Sequence, residues 1–445
     1  MVAVMLSAEK KEGVRSRVGS FFNSKRLAAP VAVLDQALVS GVNFLTAQLL
    51  FAFGSKEIGG AYALAWIVVL FTRSTVINLV ATPYTVRHGR GESTFSVYAA
   101  SSFVQQLTIA FIASLIMGIV GAIFFWKSPD APLGESLGYT FFAAALVAPF
   151  LMAREYARQI SFAHCAPWAA LVMDFVAGVA QLAILYAAIS MLVGAPIAFL
   201  ASGIGSLLGF GVWWAFGLQR LSLHSPSFRR DWSENWQFGR WALVSQITGN
   251  LAPLPWIIFA MWGAGETGAF DGANRIVGLS NILVMGYSNF LAAAAARAFT
   301  ADGASALWRI SLRAVFIFTF GLGGLCLMTL VWGGDLLSLV MRGKIENAGG
   351  IVAVLALATL IDGLSQVAIH SLRAMHRPAD AMIADLFEVA ATLIIGLPLI
   401  WQFSAPGAAW AMVFGRFVGL LLRWRIYLWR LHHLPVASPK IASSR

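Results

Sequence analysis

Twelve mostly apolar stretches, each long enough to cross a bilayer as a helix, run through this chain, and no other feature restricts its fold so tightly. They lie at about 31–53, 59–82, 95–126, 137–160, 168–191 and 196–219, then 240–262, 269–296, 305–332, 348–372, 381–402 and 405–428. A spanning helix needs about 20 such residues, and inside the hydrocarbon it satisfies all its own backbone groups. The residues between the stretches are polar or turn-forming, as in Gly54-Ser55-Lys56-Glu57, Lys127-Ser128-Pro129-Asp130 and Arg342-Gly343-Lys344. Period-two alternation over ten-residue strands is absent, which excludes a transmembrane β-barrel. Charged residues make up 11% of the chain and apolar ones 59%, against roughly 25% and 45–50% in a soluble domain. That balance excludes a soluble enzyme, a nucleic-acid-binding domain and a disordered tail. The expected class is an all-α polytopic membrane protein with twelve transmembrane helices.

The longest polar connector, about 220–239, divides the chain six helices from six. The expected organisation is a basic N-terminal arm (1–30), an N-terminal six-helix bundle (31–219), the connector (220–239), a C-terminal bundle (240–428) and a tail (429–445). A net charge of +11 invites a nucleic-acid reading, but the placement of the charges answers it. With a cytoplasmic N-terminus, 24 of the 31 Lys and Arg fall on the cytoplasmic side, among them two after helix 4 and five at the C-terminus. Only Lys56, Lys127, Arg342 and Lys344 fall on the other side, and Arg73, Arg275 and Arg416 lie within the bilayer. This is the positive-inside pattern, with both termini cytoplasmic, and no nucleic-acid partner is implied. The arm lacks the apolar core of a signal peptide; its Val14, Val18, Phe21 and Phe22 suit a short interfacial helix. Cys165 and Cys326 show neither a CxxC pattern nor metal-ligand spacing.

The two halves repeat one another. Gln36, Ser40 and Asn43 in helix 1 recur as Gln246, Asn250 and Pro253 in helix 7, displaced by 210. The spacing i, i+4, i+7 sets each group on one helix face. Gly54-x-x-Glu57-x-Gly59 recurs as Gly263-x-x-Glu266-x-Gly268, Asn78 as Asn289, and Pro167-x6-Asp174 as Pro378-x6-Asp385. An even helix number gives both copies the same orientation, so the repeats are parallel and related by an axis along the membrane normal. Two such bundles are expected to enclose a central cavity.

The stretch Leu34-Asp-Gln-Ala-Leu-Val-Ser-Gly-Val-Asn-Phe44 is similar to the first helix of bacterial polysaccharide flippases of the Wzx-like type. So are the Gly54–Tyr62 stretch and Trp236-Gln-Phe-Gly-Arg-Trp241. The chain thus resembles the multidrug/oligosaccharidyl-lipid/polysaccharide (MOP) exporter superfamily in helix count, half-length and central connector. The resemblance implies a flippase that carries undecaprenyl-diphosphate-linked oligosaccharide from the cytoplasmic to the periplasmic leaflet of the bacterial inner membrane by alternating access. Implied partners are the polyprenyl-linked glycan, membrane lipids, a polysaccharide polymerase and glycosyltransferases. Major facilitators carry a Gly-x-x-x-Asp-Arg-x-Gly-Arg-Arg loop after helix 2, which Pro83-Tyr-Thr-Val-Arg-His-Gly-Arg-Gly-Glu92 does not match. Lipid II flippase relatives have fourteen helices. A cation-coupled multidrug or small-molecule antiporter of the same superfamily is the alternative.

An ionisable side chain at mid-bilayer costs about 2.5–3.5 kcal/mol, so each needs a reason. Arg73 has no acid at i±3 or i±4; it is either an anion ligand or the partner of an acid on another helix. Arg275 has Asp271 one turn before it, and Arg416 has no local acid. The planar guanidinium fork suits a diphosphate, while Gln36, Ser40, Asn43, Gln246 and Asn250 suit a glycan. Arg73 near the cytoplasmic side and Arg275 in the outer half of helix 8 would be used in turn. Candidates for ion coupling are Asp35, Asp271, Asp362 and Glu388, since a buried carboxylate can take and release a proton; Asp174 and Asp385 read as structural. No Walker A sequence, HExxH or Ser/His/Asp order is present, so neither an enzyme, a cofactor nor a metal site is expected.

Overall fold

A chain this apolar has few ways to satisfy its backbone in hydrocarbon, and every regular element described here is helical. The computed structural model describes residues 28–90, 95–128, 136–164, 166–189, 194–217, 228–249, 253–341, 349–375 and 377–433. The N-terminal arm with Val14, Val18, Phe21 and Phe22, the residues Cys165 and Asn250, the 342–348 loop and the end of the tail lie outside them.

The helices are α1 (Ala28–Phe53), α2 (Lys56–Val76), a π turn (Ile77–Ala81), α3 (Thr82–Arg90), α4 (Phe95–Lys127), α5 (Leu137–Ala163), α6 (Pro167–Ile189) and α7 (Ala195–Ala215). There follow α8 (Phe228–Gly249), α9 (Pro253–Trp262), α10 (Ala264–Gly278), α11 (Asn281–Met341), α12 (Gly349–Ala374) and α13 (Pro378–His432). Nine stretches among the described residues are long and apolar enough to cross a bilayer. The last, Asp380–His432, would reach about 80 Å at 1.5 Å per residue and therefore supplies two crossings. Ser404, at φ 54°, breaks it between Pro398 and Pro406, close to the expected boundary. Its hydroxyl donates to Glu266 Oε2 at 2.7 Å, which holds a conformation that L residues avoid by about 1–2 kcal/mol.

The expected eighth helix is divided, and the expected seventh is described on either side of residues 250–252. The segment 240–262 falls between the end of α8 and the ten residues of α9. The segment 269–296 falls between α10 and the first limb of α11. Gly263 separates α9 from α10 at φ 85°, and Gly303 breaks α11 at φ 69°; glycine alone adopts such angles without a Cβ penalty. The connector is also not a plain loop, because from Phe228 it is helical.

The chain forms two compact units. One takes in residues up to Gly54 with Leu64–Val244, the other Ser55–Ala63 with Ser245 onward. In the first, α5 packs on α4 and α7, and α6 on α1 and α7. Its aromatic core holds Tyr84, Tyr98, Tyr156 and Trp213, with Trp213 Nε1 donating to Ser161 Oγ at 2.8 Å. In the second, α12 packs on α11 and α13, and Ser311 Oγ bridges Ser371 Oγ at 3.0 Å and Tyr427 Oη at 2.9 Å. The second unit also brings the start of α2 against the start of α10. A Cβ on Gly60 would strike the Ala264 carbonyl, and one on Gly268 would strike the Lys56 carbonyl. These are the two glycine-rich turns that the repeat relates, and small residues let their backbones touch.

Candidate functional site

Each unit holds a buried cluster of charges. In the first, Arg158 of α5 is 5% exposed. Its Nε donates to Asp35 Oδ2 at 2.8 Å and lies 3.2 Å from Asp174 Oδ2, while Nη2 donates to Gln36 Oε1 at 2.9 Å. Arg154, one turn earlier, donates from Nε to Asp174 Oδ1 at 2.7 Å. Glu155 lies 3.0 Å from Arg73 Nε of α2 and accepts from Gln159 at 2.8 Å. Three arginines face three carboxylates, so the cluster is neutral in sum. Asp35 and Asp174 each stand about 10 Å from the start of their helices, while Arg73 and Glu155 stand about 26–27 Å along theirs. With the expected topology all four lie toward the cytoplasmic end.

Arg73 therefore does have an acid on another helix, one of the two readings its sequence left open. The pairing is loose. Nε lies near Glu155 without hydrogen-bond alignment, and among the described residues no hydrogen bond holds the Nη groups. The side chain is 30% exposed, against 6% for Arg158. Arg275 is held more firmly, with Nε 2.6 Å from Asp271 Oδ2 and its guanidinium 5.3 Å from the Tyr62 ring. Because α10 starts at Ala264, Arg275 is about 17 Å along its helix, deeper than a start at residue 269 implied.

In the second unit Arg423 donates to Asp385 Oδ1 at 2.5 Å and to Glu388 Oε2 at 2.6 Å. Asp362 accepts from Gln366 at 3.3 Å. Arg416, half-buried on the same limb as Arg423, makes no ion pair within 4 Å among the described residues, though it acts on Glu388 electrostatically. Asp174 and Asp385 thus bind arginine in both repeats, yet their partners come from α5 in one and from the end of α13 in the other. The acids are repeated; the arginines are not.

The polar stripe of α1 is partly spent on structure. Gln36 accepts from Arg158 and donates to Ser40 Oγ at 3.3 Å; Asn43 is half-buried. The Gln246 side chain and all of Asn250 lie outside what is described.

Three members of these clusters need their expected places corrected. Arg154, Arg158 and Arg423 are counted above among the cytoplasmic charges, although the expected spans 137–160 and 405–428 already contain them. All three lie on α5 and α13 with their side chains on buried carboxylates, and Glu155 joins the membrane acids. The signal was present as Arg154-Glu155-x-x-Arg158, whose i, i+3 and i, i+4 spacing puts charges on adjoining helix faces. Removing three charges from the cytoplasmic side leaves its excess intact.

Comparison with known proteins agrees with this architecture. Residues 302–444 match a family described as polysaccharide biosynthesis protein; the match covers about a third of the chain and none of the three stretches that carried the resemblance. No curated protein matches the sequence. An inward-facing multidrug-resistance MATE family transporter of the MOP superfamily superposes with a TM-score of 0.74 at 11% identity, over 90% of this chain and 98% of that one. The lipid II flippase MurJ, in an inward closed conformation, gives 0.70 at 13%, over 91% and 88%. A MOP superfamily transporter from Pyrococcus furiosus gives 0.62 at 14%, over 91% and 95%. The chain shares the fold of these solved transporters, and its C-terminal third matches a polysaccharide biosynthesis family.

Proposed function

We propose that this chain is a flippase that moves undecaprenyl-diphosphate-linked oligosaccharide from the cytoplasmic to the periplasmic leaflet of a bacterial inner membrane, by alternating access. The match of residues 302–444 to a polysaccharide biosynthesis family carries the reading, because it favours a glycan substrate within a fold shared with a multidrug transporter. The charges support it. Arg73 in the first unit and Arg416 in the second each offer a guanidinium not locked by hydrogen bonds to acids among the described residues. A diphosphate can take both arms of such a fork, and the bond strengthens as water leaves. Arg73 is the first contact for the head group from the cytoplasmic side; Glu155 keeps its charge compensated until the phosphate arrives. Arg275, fixed by Asp271 and Tyr62, is assigned to packing rather than to the sequential hand-over. Asp35, Asp271 and Glu388 already hold arginines, so coupling through any of them would have to break an ion pair; among the described residues Asp362 holds the Gln366 amide and no arginine.

Deleting the gene tests the reading. Cells without the protein should accumulate lipid-linked oligosaccharide on the cytoplasmic leaflet and lose the surface glycan. Intact surface glycan together with sensitivity to cationic dyes would establish the antiporter alternative instead.

A further inference from the structure

The helix α8 carries a second feature, independent of what the protein transports. Its roll is fixed on one side. Arg87, just past the span that ends at Thr85, pairs with Asp231 at 3.3 Å and with Glu234, and stacks 4.1 Å over the ring of Tyr98. Tyr98, near the start of the span Val97–Lys127, donates its hydroxyl to Asn235 Oδ1 at 2.8 Å. Asn235 Nδ2 donates to Gln105 Oε1 at 2.7 Å, and Gly239 lies on the Asn78 carbonyl of the π turn. Since Arg87 and Tyr98 stand at span ends, the part of α8 that they hold, around Asp231 and Asn235, lies level with the lipid head groups.

At about 100° per residue, Asp231, Asn235 and Gly239 set the docked face. Phe228, Trp232 and Trp236 then form a stripe along one flank, and Arg229 follows about 20° beyond Trp236. The three aromatics are 37%, 37% and 48% exposed. With Arg229 and Ser233 they line a shallow groove of about 510 Å³. Arg230 is turned to Glu234 at 2.7 Å, whereas Arg229 is exposed and makes no ion pair among the described residues. Tryptophan and phenylalanine beside arginine at head-group level match a surface that is apolar on one side and anionic on the other.

We propose that this groove is a binding site for an anionic phospholipid, with Arg229 on its phosphate and Phe228, Trp232 and Trp236 against its glycerol and upper acyl chain. The full-length protein, purified in a neutral detergent and stripped of lipid, should melt several degrees higher with phosphatidylglycerol and far less so with phosphatidylcholine. Inorganic phosphate at the same concentration should give no shift. Arg229→Glu, at an exposed position, should abolish most of the shift without altering the lipid-free melting point. Trp232→Ala/Trp236→Ala should weaken it at least tenfold in lipid concentration. Equal shifts from both lipids, a shift from inorganic phosphate, or a full response in Arg229→Glu would overturn the proposal. So would stripped protein that dimerises and is returned to monomer by Trp232→Ala/Trp236→Ala, which would make a second copy the occupant.

Discussion

Replacing Arg158 by Met removes one cation from between two carboxylates and leaves most of the side chain's volume in place. Asp35 is 0% exposed and Asp174 1%, so neither gains water in exchange. Asp174 keeps Arg154 at 2.7 Å, whereas Asp35 has no other ion pair among the described residues. Removing one member of a buried ion pair costs about 3–5 kcal/mol, because the other is left uncompensated. For a unit of this size each kcal/mol lowers the melting point by about 2–4 °C, so Arg158→Met should melt at least about 6 °C below the parent. The double variant Asp35→Asn/Arg158→Met removes the stranded charge and should recover much of the loss, since replacing both members of a buried pair is often nearly neutral. The cycle should return a coupling of about 2 kcal/mol or more between the two positions. Melting of a fluorescent fusion, followed by size-exclusion chromatography in detergent, measures all four proteins. Arg158→Met melting with the parent, or a double variant no better than the single, would refute the network as the support of the first unit.

Four further outcomes follow from the same contacts. Arg73→Lys keeps the charge and loses the fork, so glycan export should fall while the protein still folds; Arg73→Ala should abolish export, and normal export from a well-expressed Arg73→Ala would leave Arg73 a structural partner of Glu155. Gly268→Val drives a side chain into the Lys56 carbonyl and should cost about 1–3 kcal/mol, read as a lower melting point. The hydrogen bond from Arg230, with Arg87 nearby, holds the Glu234 carboxyl below its ordinary value; its stabilisation is therefore present above about pH 4.3 and lost as pH falls through the lower folded value. The gap in melting point between parent and Glu234→Gln should close over that acid range, and a gap that widens would reverse the assignment. Reporter fusions after residues 57 and 266 should read periplasmic and one near residue 230 cytoplasmic; a periplasmic reading at 230 would overturn both the orientation and the six-plus-six division.

Apolar length and turn chemistry made the helical class and most helix positions readable. The six spans of the first half and the last four of the second sit close to where hydropathy put them. Hydropathy placed the turn at Gly263 correctly but failed inside 269–296, because a window of apolar residues does not register the turn at Leu279–Ser280 that parts α10 from α11. The repeat was readable through Asp174 and Asp385, and both prove to be arginine partners. Their arginines were not. Arg154, Arg158 and Arg423 lie near helix ends, where counting charges by side cannot tell a loop residue from one that turns inward. Arg73 lacked a local acid in sequence, and only the fold brings Glu155 of α5 to it. The connector read as polar because its charged face is what docks it: Asp231 and Asn235 are buried, and its tryptophans are not.

Flipping itself is best measured in liposomes of defined lipid that hold the purified protein and a fluorescent undecaprenyl-diphosphate-linked oligosaccharide in both leaflets. A membrane-impermeant quencher reaches only the outer copies, so protein-free vesicles should lose only the outer-leaflet share of the signal. The account predicts that vesicles with the parent protein lose nearly all of it, and that vesicles with Arg73→Ala lose no more than protein-free ones. Quenching that stays at the protein-free level with active parent protein, while a cationic dye gradient is dissipated, would contradict it.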